Sequence, residues 1–145
     1  YDKTLRRLAR DLKVDGQVVI LGGSDPHSGE KHTGAGIKVR DLYLVADILF
    51  LPSVHEGFGL PILEAGLARL PVFCSDIPPF MESGQNDVCT FGLADPPGRI
   101  ADRILAFSGR PGRLPLQRRV IRHYAWDKIY HSFIRPLLDD LLARG

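Results

Sequence analysis

Residues 49–76, LFLPSVHEGFGLPILEAGLARLPVFCSD, constrain the fold more than any other part of this sequence. An apolar run through Leu49, Phe50 and Leu51 gives way to a loop holding Gly57 and Gly59. After Pro61 comes a segment apolar nearly all round (Ile62, Leu63, Ala65, Gly66, Leu67), and then a second apolar run, LPVFCSD. Short continuous apolar runs bounded by turn residues read as strands buried on both faces, the kind found in parallel sheets. Pro61 suits the first helical position, where the N–H that proline lacks would have no partner anyway. Strand, loop, helix and strand in this order argue for an α/β domain.

The remaining segments extend the same alternation. Leu5, Leu8, Ala9 and Leu12 recur at helical spacing, and Val14-Asp15-Gly16 ends that helix. QVVILGG, residues 17–23, reads as a buried strand entering a glycine-rich loop; 38–46 reads as a helix and DVCTFG as a weaker last strand. A further helix covers 99–107, with Ile100, Ile104 and Leu105 on one side. The fold class expected is a Rossmann-like α/β parallel sheet with helices on both faces. SGRPGRLP, residues 108–115, is the best linker. It divides residues 1–109, which hold the sheet, from residues 110–145, expected as helices 115–124 and 126–142 packing on the same domain. In the last helix Trp126, Ile129, Tyr130, Phe133, Leu137, Leu138, Leu141 and Leu142 form an apolar stripe, which Pro136 should kink.

With 145 residues, 25% charged and 44% hydrophobic, the chain has ordinary globular composition and is long enough for one core. A net charge of +2 gives no ground for a nucleic-acid partner. Arg110, Arg113, Arg118, Arg119 and Arg122 crowd together, which reads as a solvated helix face and leaves room for a peripheral membrane contact. Cys74 and Cys89 match no metal or redox spacing and read as reduced thiols of a cytoplasmic protein. The opening YDKTLRRLARDL reads as a charged amphipathic helix rather than a leader, and LVADILFLP is too short to span a membrane. In the loop 22–36, Asp25, His27, Glu30 and His32 include metal-ligating types, but a polar loop accounts for them and no metal is expected.

Glu56 and Glu64, with seven residues between them, stand on either side of the Gly57-Phe58-Gly59 turn. Open α/β sheets bind ligands at the carboxyl ends of their strands. There the N–H groups of Gly57, Phe58, Gly59 and Leu60 would lie at a helix start, where about half a positive charge awaits an anion such as phosphate. An ionised carboxylate only accepts hydrogen bonds, and its two oxygens suit neighbouring hydroxyls such as a ribose diol. Glu64, one turn into the helix, is placed for that diol, and Glu56 for hydroxyls beyond the phosphates. Diol, diphosphate and polyol in a row describe a nucleoside diphosphate sugar.

HEGFGLPILEAGLARLPVFCSDIPPFME closely resembles the Glu-x7-Glu region of family-4 retaining glycosyltransferases of the GT-B fold. VRDLYLVADILFLPS and HYAWDKI are similar to the same family's C-terminal, donor-binding domain. The resemblance implies transfer of a sugar from a nucleoside diphosphate donor to an acceptor with retention of configuration, and with no metal or other cofactor. It assigns Glu64 to the ribose and Glu56, as the catalytic residue, to the donor sugar. The backbone of Gly57, Phe58, Gly59 and Leu60 goes to the diphosphate, and His55 stands near the sugar. Ser75, Asp76 and Glu82 match a segment following the motif, where Asp76 and Glu82 either shape the site or serve as turn and capping residues. The family's first strand, its Gly-Arg loop and lysine, and its N-terminal acceptor domain have no counterpart before YDKTLRRLARDL, so a donor-binding half without turnover of its own is expected. The loop 22–36 is longer than in relatives, and Ala125 stands where a Ser or Thr cap is usual. The alternatives are a nucleotide-sugar epimerase of the same fold and a non-catalytic binding or scaffolding module. The donor sugar, its base and the acceptor are not legible.

Overall fold

A computed structural model describes residues 2–21, 38–107 and 114–144 of the chain. The expected loop 22–36, with Asp25, His27, Glu30 and His32, lies outside these residues, as do Arg110, Arg113 and most of the linker. The chain divides into two compact units, Tyr1–Val39 and Arg40–Gly145.

In the first unit, helix α1 (Asp2–Asp11) carries Asp2 in its first turn and Arg10 in its last, the polarity that a helix dipole favours. Asp2 also pairs with Arg6 at 3.1 Å. Lys13, at φ 57°, ends the helix in the left-handed region, and the Val14 N–H closes back on the Ala9 carbonyl. A 3-10 turn, Asp15–Gln17, follows. Here the sequence expectation needs correcting: no residue in 17–21 belongs to a strand. Val18 is extended, at φ −112° and ψ 119°, but pairs with no described strand, and Val19 is 83% exposed. Apolar β-branched residues express a preference for extended, buried backbone, whereas a strand exists only through a neighbour that completes its hydrogen-bond ladder.

The second unit is built on three short parallel strands, β1 (Leu49–Leu51), β2 (Val72–Ser75) and β3 (Cys89–Phe91), ordered β1-β2-β3. Leu51 stands opposite Cys74, and Ser75 opposite Phe91. Helix α2 (Val39–Val45) precedes β1, and α3 (Leu60–Leu67) links β1 to β2. The apolar β2 is central and fully buried, so its alternating side chains feed two cores. Val72 and Cys74 join Ile62, Leu63, Phe80, Leu116 and Val120 in the larger one. Phe73 joins Phe91 and Phe107 in the other, meeting the Phe107 ring edge-on at 4.9 Å. Phe107 ends helix α5 (Pro97–Phe107), so both faces of the sheet are covered, as the alternation required.

Helix α4 (Pro78–Gly84) is not among the elements expected from the sequence, and it begins on a pair of prolines. At that end their missing N–H groups cost nothing, and Phe80 is driven fully into the core. Neither Asp76 nor Glu82 caps it: the N-cap is Ile77, without a side-chain bond. The far end of α4 is held by a residue from helix α6 (Leu114–His123). Arg119 donates from Nη1 to the Ser83 carbonyl at 2.8 Å, from Nη2 to the Gly84 carbonyl at 2.6 Å, and from Nε to Asp87 at 2.8 Å. The arginine cluster is therefore not simply a solvated face. Arg118 and Arg122 are exposed, but Arg119 is a partly buried clamp on the negative end of a helix.

Helices α7 (Trp126–Ile129) and α8 (Arg135–Ala143) are joined by a π-helical segment, Tyr130–Ile134. Pro136 would clash with the carbonyl four residues back, and widening the preceding turn relieves it, so the expected kink takes this form. Ala125 is the N-cap of α7, with no side-chain bond.

Candidate functional site

Beyond Leu51 the chain leaves β1 and turns into α3 through Gly59, whose φ of 85° lies in the left-handed region. That backbone is what glycine permits. A Cβ at Gly59 would stand 2.7 Å from the Ser83 Oγ and 3.1 Å from the Phe80 ring, so α4 supports the turn from below. Pro61 is in the first helical turn, one place later than expected, and α3 has no side-chain N-cap. Among the described residues the amides of Gly57, Phe58, Gly59 and Leu60 donate to nothing; the first bond of the turn runs from the Ile62 N–H to the Gly59 carbonyl. Gly57 and Leu60 are exposed. The Phe58 ring, 45% exposed, packs edge-on against Tyr124 at 6.1 Å. Gly59 itself is buried, so the donor amides at this helix start that are placed to meet an anion are those of the exposed residues around it.

Each of the two carboxylates beside this turn is held by a hydroxyl. Ser53 Oγ donates to Glu56 Oε1 at 2.9 Å, and the loop carrying Ser53 is itself tied to the sheet by Ser75. Ser75, wholly buried in β2, donates its hydroxyl to the Ser53 carbonyl. Tyr43 of α2 donates to Glu64 Oε2 at 2.9 Å. Partial burial, and then the adjoining Glu64 carboxylate, push the Tyr43 phenol up to about 12, so it remains a donor at any physiological pH. Glu56 is half-buried; Glu64 is exposed, as are Asp76 and Glu82. His55 is exposed and bonds to no described residue.

The residues singled out from sequence therefore lie on one loop and the helix turn after it, with acceptors on both sides of a run of donors. Tyr43 and Ser53 were missed, and the role of Ser75 went unread. A tyrosine between the leucines of α2 was the only signal of the first, and nothing in the spacing linked the two serines. Among the described residues no three His, Cys, Asp or Glu side chains gather as metal ligands would. No described helix is long and apolar enough to cross a membrane.

The family model for glycosyl transferases group 1 matches residues 1–123. The chain belongs to the group 1 glycosyltransferases. As a group 1 member it is similar to an O-antigen chain mannosyltransferase of Salmonella typhimurium, RfbU, at 34% identity over 82 residues, 57% of this chain and 20% of that protein. It also resembles a serotype-specific mannosyltransferase of Escherichia coli, WbdA, at 39% over 66 residues, 46% of this chain and 8% of the relative. A match of 33% over 131 residues, 86% of this chain and 31% of the relative, joins it to an uncharacterized glycosyltransferase of Methanocaldococcus jannaschii. The chain spans less than a third of each of these group 1 relatives' own lengths.

Proposed function

We propose that this chain is the donor-binding part of a retaining glycosyltransferase, and that it seats a nucleoside diphosphate sugar at the carboxyl end of β1. What carries this reading is the left-handed turn at Gly59, whose amides donate to no described residue and which lies between two hydroxyl-held carboxylates. The diphosphate receives the amides of residues 57–60 and the positive end of α3. Glu64 accepts from the ribose hydroxyls and Glu56, with His55 beside it, faces the sugar. In the transfer, the anomeric carbon exchanges its bond to the diphosphate oxygen for one to an acceptor hydroxyl oxygen, and the hydroxyl proton leaves with the diphosphate. Preorganised donors that stabilise the negative charge of the departing group do the work that a metal does elsewhere, so no metal is needed. Mannose is the first sugar to test, since the named relatives from Salmonella and Escherichia coli are mannosyltransferases.

Orientation of two substrates supplies up to about 7–11 kcal/mol of the barrier and needs both walls of a cleft. The chain by itself is therefore expected to bind donor weakly and not to turn it over. Calorimetric titration with a panel of nucleotide sugars tests the reading. Binding of one or more, weakened by Glu56→Gln, supports it. No heat from any member at millimolar concentration refutes it, and turnover by the isolated chain would overturn the division of labour.

A further inference from the structure

Resting on the reading of Glu64 as the ribose acceptor, we propose that Tyr43 is a positioning residue that aims this carboxylate at the diol. The phenol donates to one carboxylate oxygen, Oε2, at 2.9 Å from a helix 21 residues earlier in the chain. Glu64 is exposed and has no cation within ion-pairing distance among the described residues, so Tyr43 is its one described side-chain partner. An exposed glutamate samples several rotamers, and fixing it on binding costs side-chain entropy. Tyr43 is suited to remove that cost in advance. Its ring packs against the larger core, and a tyrosine has few rotatable bonds, so its hydroxyl is a fixed point. With Oε2 held, Oε1 is left to accept from the ligand. The bond also persists across the working pH range, because the phenol keeps its proton. The specificity that follows is for ribose hydroxyls, irrespective of base or sugar.

The test compares GDP, UDP and ADP with their 2′,3′-dideoxy forms in calorimetric titrations of the wild type, Tyr43→Phe and Glu64→Ala. The wild type is expected to prefer the ribose form of the best binder by about tenfold or more, the value of hydrogen bonds to a charged group. Glu64→Ala abolishes that preference. Tyr43→Phe is expected to lose about fivefold of it while binding the dideoxy form as the wild type does. Because each preference is a ratio measured on one folded variant, a change in stability does not alter it. If Tyr43→Phe keeps the full preference, or weakens both forms equally, the positioning role is wrong and Glu64 stands alone. A wild type with no preference for ribose removes the role of Glu64, and this inference with it.

Discussion

Glu64 and Gly59 can be separated experimentally, because one is expected to matter for ligand and the other for the backbone. Glu64→Ala deletes an exposed carboxylate, so donor binding should weaken by about 1.5–3 kcal/mol, the range for hydrogen bonds to a charged group. Its thermal midpoint should stay where it was. A collapse of the midpoint with unchanged donor affinity would show that Glu64 serves the fold. Gly59→Ala forces an L-residue into φ 85° with a Cβ 2.7 Å from the Ser83 Oγ. A stability loss of about 1–3 kcal/mol is expected in denaturant titration, the cost of such backbone strain. The glycine turn and both acids were legible because their chemistry is local: a glycine where the chain reverses, and an acceptor one turn into a helix. Tyr43 and Ser75 were not. Their partners, Glu64 and Ser53, are brought to them by tertiary folding across 21 and 22 positions of sequence.

Among the elements, β1, β2, β3, α3 and α5 were legible because each buries a continuous or periodic apolar set, and that pattern reports burial directly. Residues 17–21 have an equally apolar pattern but no described ladder partner, and partnership is not encoded in the segment itself. In α4 the two prolines obscured a helix start. Two contacts of α6 hold this layer together and give distinct expectations. A Cβ on Gly66 would stand 2.8 Å from Leu116 Cγ and 3.1 Å from Val120 Cγ2, so Gly66→Val overpacks the seam between α3 and α6. It should cost about 1–3 kcal/mol, read from the denaturation midpoint. Arg119→Met leaves Asp87 and the Ser83 and Gly84 carbonyls without their donor, and should cost about 1.5–3 kcal/mol. An Arg119 confined to the solvated face would show no loss.

For the whole molecule, alkaline stability follows from two shielded groups. Burial, with the neighbouring Cys89 as a smaller cause, pushes the Cys74 thiol from 9.0 up to about 12. The Tyr43 phenol rises from 10.0 to about 12. Both folded-state values exceed the unfolded ones, so above pH 9 the unfolded chain releases protons that the native chain retains. Stability from these groups is complete below pH 9.0 and declines as pH rises toward about 12. Thermal midpoints measured from pH 7 upward should begin to fall near pH 9 for this reason, and Tyr43→Phe should remove the part of the fall that begins near 10. A slope identical in Cys74→Ala, Tyr43→Phe and the wild type would show that neither group contributes. Arg119 also bears on the order in which the molecule is made. A ribosome that has just decoded β3 holds a sheet whose lower helix has an open end and whose larger core lacks Leu116 and Val120. Three parallel strands already synthesised must therefore wait for a segment about thirty positions downstream, and until it emerges the nascent protein exposes apolar surface of the kind that chaperones shield.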